Sequence, residues 1–207
     1  MIGIFEQFVT LWVVIDPIGT IPVFVAITAS MSSSERVKTA IRAALIAASV
    51  LLFFLVAGQF LLEALDISLP AFQIAGGLIL FLFALTMIFD TSKPEAETAE
   101  AKKLADAHTV AVFPLAVPSL ASPGAMLAIV LLTDNNRFSV QEQIITGTVM
   151  VCVVAVALGC MLLASPILRV IGNGGAAIVS RVMGMVLAAV AVDAVINGIT
   201  ELVKAGA

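Results

Sequence analysis

Charge is scarce in this sequence. Asp, Glu, Lys and Arg make up 12% of its 207 residues, and the formal net charge is −4 at pH 7 with no basic block. Nucleic acid is therefore not an expected partner, because binding a phosphate backbone needs clustered Lys and Arg. His108 is the one histidine, and no Cys/His cluster surrounds it. No metal site is expected. The two cysteines, Cys152 and Cys160, share one apolar stretch. On a helix they stand about 12 Å apart along the axis, too far to pair with each other. They read as small apolar helix residues. No Lys or Arg precedes the first apolar run, and a cleaved signal peptide needs that basic start. The first run is expected to stay as a helix. A G-x-x-x-x-G-K string is missing, which argues against ATP-driven work by this chain alone. Also missing are an H-E-x-x-H motif and any His or Lys inside an apolar run to serve a serine as base. No enzyme is expected, and no cofactor is implied.

What is present is apolar. The hydrophobic fraction is 61% and the mean hydropathy +1.18, against roughly 45–50% apolar residues in a soluble domain. Lipid must solvate such a surface. A spanning helix takes about 20 apolar residues, and six runs of that length stand out. They cover about residues 5–29, 39–62, 69–89, 110–133, 144–168 and 176–203. None alternates with the two-residue period of a barrel strand. Lipid also demands that backbone hydrogen bonds be made within the segment. The expected fold class is an all-α polytopic membrane protein with six transmembrane helices in one domain, 1–207. Residues 1–90 form a first half, 91–109 a polar linker and 110–207 a second half.

Lys and Arg set the orientation. Arg36, Lys38, Arg42, Lys93, Lys102, Lys103, Arg169 and Arg181 fall on one side, and Arg137 and Lys204 on the other. That bias predicts a multi-pass membrane protein with a cytoplasmic linker and both termini outside.

The two halves can be laid over each other. Pro17 and Pro22 enclose four residues, as do Pro118 and Pro123, and the pairs are offset by 101 positions. The same offset carries Arg36 onto Arg137 and Gly58 onto Gly159. Three helices per copy is an odd number, so the second copy enters upside down. This predicts two inverted three-helix repeats with helices 1 and 4 broken near the midplane, a plan found in secondary transporters. Proline removes a donor and clashes with the preceding turn. Unwound backbone survives in a bilayer only inside protein or along a cavity, so the breaks predict a midplane pocket. Ser122-Pro123 reads as an N-cap followed by a first-turn proline, and Thr20 or Ile21 ahead of Pro22 opens the other half-helix. Half-helix N-termini suit a carboxylate and free carbonyls suit an ammonium. Together they suit a zwitterion.

Asp16-Pro17-Ile18-Gly19-Thr20-Ile21-Pro22-Val23-Phe24, and the run from Pro114 through Pro118-Ser119-Leu120-Ala121-Ser122-Pro123-Gly124 to Met126, resemble the two signature stretches of the MarC family. That family includes the SnatA-type neutral amino acid transporters. Many of its members carry glycine where this chain has Ser122. The resemblance spans nearly the whole chain and implies transport of small neutral amino acids such as glycine and alanine, coupled to protons. It points to Asp16, Pro17, Ile18, Gly19, Thr20, Pro22, Pro118, Ser119, Leu120, Ala121, Ser122, Pro123 and Gly124 as substrate-binding residues. The expected partners are a small zwitterionic amino acid, a proton and the lipid bilayer, and the oligomeric state stays open.

Asp16 lies near the centre of the first run. A charge there costs about 2.5–3.5 kcal/mol on insertion scales, so it needs a role. Capping the break and carrying a proton are the two on offer. Asp193 is a second proton-coupling candidate. It shares a helix face with Asn197 at i, i+4, either toward the pocket or nearing the outer water. Gln73 reads as interhelical glue beside the site, and Gly76, Gly77 and Gly184 as points of close helix approach. Two other readings compete with transport: a non-transporting scaffold or regulatory protein docking through the linker, and an intramembrane enzyme built on Ser119, Ser122 and Asp16.

Overall fold

The computed structural model describes residues 3–29, 31–89, 107–135 and 138–206. The linker up to residue 106, and Arg137, lie outside them. Among the described residues the chain is helical and contains no strand. In chain order the helices are α1 (Ile4–Ile15), α2 (Thr20–Ile27), α3 (Ser33–Ala64) and α4 (Leu69–Phe89). After the linker come a single turn, α5 (Ala107–Val110), and a wide irregular helix, α6 (Ala111–Leu120). Then follow α7 (Pro123–Leu132), α8 (Val140–Leu162) and α9 (Ala164–Gly206).

Four helices among the described residues are long and apolar enough to cross a membrane: Ser33–Ala64, Leu69–Phe89, Val140–Leu162 and Arg181–Lys204. The pair Ala111–Leu120 and Pro123–Leu132, bent by 53°, makes a fifth if counted as one span. With 12 and 8 residues, α1 and α2 are each too short to span alone. The outer surface confirms the membrane setting. Val56 and Phe60 on α3 are each 73% exposed, and patches of this kind need an apolar neighbour.

Helix starts follow local chemistry more than hydropathy. The second run was expected from residue 39, yet α3 begins at Ser33. A capping box sets that start: the Ser32 hydroxyl accepts from the Glu35 N–H at 3.3 Å, and the Glu35 carboxylate accepts from the Ser32 N–H at 2.8 Å. Ser139 and Glu142 open α8 in the same way. Those caps, and the buried Thr39 and Thr146, are offset by 107 positions, not 101. The helix α7 starts later relative to its proline pair than α2 does, is longer than α2, and is followed by a longer loop, so the register shifts step by step across the break. Gly58 packs against Val130, whereas nothing lies within 4 Å of a Cβ on Gly159; those two glycines are not packed alike. At the far end, α8 stops at Leu162 and α9 already begins at Ala164. Pro166 falls in the first turn of α9, where its missing N–H does no harm. Gly172, at φ +65°, interrupts α9, and glycine accepts that conformation freely.

Packing runs between the halves. The helix α4 lies antiparallel along α9, α3 packs on α8, α6 and α7, α1 on α7 and α8, and α2 on α9 and α6. Glycine sets the α4–α9 approach. A Cβ on Gly77 would stand 2.9 Å from the Ala191 carbonyl, one on Gly198 3.0 Å from the Pro70 carbonyl, and one on Gly184 3.1 Å from the Ala84 carbonyl. Gly76 takes the Leu127 side chain of α7 in the same manner.

Candidate functional site

The first helix stops where Pro17 supplies no N–H. Asp16 closes α1 in a left-handed conformation (φ 52°, ψ 65°), one that aspartate tolerates better than most residues. Its N–H donates to the Trp12 carbonyl at 3.0 Å. Its carboxylate turns forward, and Oδ1 accepts from the Gly19 N–H at 2.9 Å. A Cβ at position 19 would overlap that carboxylate, so glycine is what fits there. The Thr20 hydroxyl donates to the Asp16 carbonyl at 3.0 Å, and α2 starts at Thr20 as the sequence suggested. Asp16 is 2% exposed, and its capping role is visible.

The second break is built differently. Phe113 and Val117 leave helical geometry, at φ −130° with ψ 126° and 124°, each directly before a proline. The residue preceding proline is pushed out of the α region by steric clash. Ala121 N–H closes the wide turn on the Ala116 carbonyl at 2.8 Å. Ser122 then caps α7: its hydroxyl accepts from the Ala125 N–H at 3.0 Å, and Pro123 takes the first helical position.

A serine hydroxyl joins the breaks. The Ser122 hydroxyl donates to the Val14 carbonyl at 2.9 Å. Val14 lies in the last turn of α1, where an unbroken helix would offer an N–H from Ile18. Serine therefore ties the N-terminus of α7 to the C-terminus of α1. Around it Pro17, Gly19, Thr20, Ser119, Leu120, Ala121 and Gly124 are buried, and Ile18, Pro118 and Pro123 are half-buried. Pro22 lies in the first turn of α2. A side chain on Gly124 would strike Leu80 of α4.

Not every expected residue joins this cluster. Asp193 and Asn197 are exposed and hydrogen-bond to each other, amide to carboxylate, at 2.9 Å. They sit on the side of α9 away from its buried positions Leu187 and Ala191, so Asp193 does not face the breaks. Gln73 is buried, and its Oε1 meets no hydrogen-bond donor among the described residues.

Other buried polar residues emerge only in three dimensions. Gln7 of α1, 4% exposed, accepts from the Thr146 hydroxyl of α8 at 3.2 Å. Asp134, just past α7, accepts from Gln59 Nε2 at 3.2 Å, while Gln59 Oε1 accepts from the Asn135 N–H at 2.7 Å. Gln59 thus clasps the end of α7 to α3. A polar residue inside an apolar run was the available signal for Gln7 and Gln59.

Comparison with known proteins agrees that this is an integral membrane protein. A family model described as MarC family integral membrane protein matches residues 1–203. A UPF0056 membrane protein of Archaeoglobus fulgidus is 33% identical over 197 residues, covering 95% of this chain and 92% of the relative. A UPF0056 inner membrane protein MarC of Salmonella arizonae is 32% identical over 200 residues, covering 91% and 90%. A UPF0056 membrane protein of Methanocaldococcus jannaschii is 31% identical over 192 residues, covering 93% of each. No solved structure matches the chain.

Proposed function

The chain belongs to the MarC family of integral membrane proteins, and on that premise we propose that it is a proton-coupled secondary transporter of small neutral amino acids such as glycine and alanine. The site is the meeting point of the two breaks. The observation that carries the reading is the bond from Ser122 to the Val14 carbonyl. It sets a helix N-terminus against a helix C-terminus inside the protein, next to the buried carboxyl of Asp16. A free α-carboxylate suits the N–H groups of α7, and an ammonium suits the carbonyls closing α1. Asp16 is the proton carrier on this reading, besides capping the break.

Alternating access needs two matched halves, and the packing supports them. Exchange α1 with α6, α2 with α7, α3 with α8 and α4 with α9. Then α1 on α7 becomes α6 on α2, α1 on α8 becomes α6 on α3, and α4 on α7 becomes α9 on α2. All of these pairs occur. On this reading α1 with α2, and α6 with α7, are two broken spans, bringing the crossings to six in two inverted repeats. The relatives' names and the Lys/Arg bias support an inner-membrane location with the linker cytoplasmic and both termini outside. No catalytic role is assigned.

The test is uptake of labelled glycine and alanine into proteoliposomes of the purified protein, with and without an imposed pH gradient. Saturable uptake that follows the gradient is expected. Folded protein that moves neither amino acid under either condition would overturn the reading.

A further inference from the structure

Asp193 poses a problem that the transport site does not solve. It is the thirteenth of the 24 residues in the span Arg181–Lys204, and the packing fixes its depth independently. Gly77, close to the centre of the 21-residue α4, faces Ala191 and Val195, the residues two positions either side of Asp193. Nearer one membrane surface Gly198 meets Pro70 and Ile74, and nearer the other Gly184 meets Ala84 and Met87. Asp193 is thus level with the middle of a helix that carries no charged residue. At 100° per residue it is turned about 200° from Ala191, which is fully buried. The carboxylate therefore points outward, at mid-depth, from a wholly helical membrane segment.

Lipid tails offer such a group no donor, and intramembrane acidic residues are costly unless paired. Asn197 supplies one hydrogen bond. An amide has two N–H donors and a carbonyl, and a carboxylate has two oxygens. One N–H, the amide oxygen and one carboxylate oxygen remain for a partner. The ridge around them is Val186, Ala189, Asp193, Ile196, Asn197 and Thr200, all exposed and spaced as one helix face. Ala189 and Thr200 are small enough for close helix approach.

We infer that this face of α9 is the interface between two copies of the chain in the membrane. A second copy inserted the same way is related by a two-fold axis along the membrane normal. Such an interface is isologous, so a donor and an acceptor on one ridge meet their opposites on the other. Asn197 of each copy donates its second N–H to the partner's Asp193, giving two reciprocal bonds where the helices cross. A crossing at mid-span lets α9 pack on both sides of the polar pair. A ridge that carries donor and acceptor together answers itself, which is why a second copy is the occupant and not an unrelated subunit.

The experiment uses the full chain in lipid vesicles. Single-molecule photobleaching of dilute, singly labelled protein should show two steps. In a background with Cys152 and Cys160 replaced by alanine, Ala189→Cys should form a disulfide-linked dimer on mild oxidation. Leu52→Cys on α3 and Val151→Cys on α8, both lipid-exposed, should not. Asp193→Leu with Asn197→Leu should weaken association about tenfold, the sum of two membrane hydrogen bonds. These positions are exposed, so the variant should fold, and the cross-linking map stands without it. One-step bleaching at every protein density would overturn the inference. So would equal cross-linking at the control positions, an unchanged dimer in the double variant, or rapid reaction of Asp193→Cys with a water-soluble thiol reagent.

Discussion

Ser122→Ala is the substitution that tests the site most directly. The serine hydroxyl has two jobs: it accepts from the Ala125 N–H at 3.0 Å and donates to the Val14 carbonyl at 2.9 Å. Losing an N-cap costs about 0.5–2 kcal/mol. Leaving a buried carbonyl without its donor costs about 1–3 kcal/mol. Both groups are deep, with Ser122 and Val14 each 1% exposed, so the alanine variant should lose roughly 2–4 kcal/mol in all. Ser122→Gly separates the two terms. Glycine costs only a few tenths as a cap, so this variant should lose mainly the Val14 term. Thr148→Ala is the control, since that exposed hydroxyl donates only within its own helix, to Ile144. The sole tryptophan, Trp12, lies half-buried one turn before the first break. Its fluorescence during denaturant unfolding in detergent reports on the right place. An alanine variant within about 0.5 kcal/mol of the parent, the usual scatter of neutral surface changes, would refute the claim that this hydroxyl holds the breaks together.

Asp16→Asn should keep the break intact, because an amide oxygen also accepts from the Gly19 N–H, yet transport should stop responding to a pH gradient; an unchanged gradient response removes Asp16 as the carrier. Gly77→Leu should be destabilising by at least roughly 1–3 kcal/mol, since the added carbons meet the Ala191 carbonyl and Val195 with no room to move; detergent melting curves measure it. Gln7→Leu and Thr146→Val should couple in a double-mutant cycle by about 0.6 kcal/mol, the mean for hydrogen bonds inside membranes, and additive losses would mean that the 3.2 Å contact contributes nothing.

Hydropathy made α4 legible to the residue, and proline chemistry made both breaks legible. Ser122 followed by Pro123 is a local signal, and it opens α7 as written. The start of α3 was missed by six residues because Ser33 to Lys38 is polar, and an apolar-run criterion skips a helix that projects beyond lipid. The capping box at Ser32 and Glu35 was the readable sign. A constant offset of 101 failed after the breaks for a related reason: helix and loop lengths both drift between halves, while the caps and the Thr39/Thr146 pair keep their own register. Asp193 was ambiguous because i, i+4 spacing says that two residues share a face but not which face is buried. Gln7, Gln59 and Asp134 matter through partners 75 to 139 positions away, and no local pattern carries that information.

The bond at the breaks has a consequence for any zwitterionic substrate. The N-terminus of α7 bears a partial positive charge and the C-terminus of α1 a partial negative one. Through Ser122 each satisfies the other. A zwitterion brings a carboxylate for one end and an ammonium for the other, so it competes with that bond at both ends at once. Seating it between them must part Ser122 from Val14. Val14 belongs to the first half of the chain and Ser122 to the second. On the transport reading, binding and the separation of the halves are then one event. A ligand shifts a conformational equilibrium only by its differential affinity for the two states. On that reading the difference has a named source: one state would hold the helix ends to each other, and the other would hold them to the substrate.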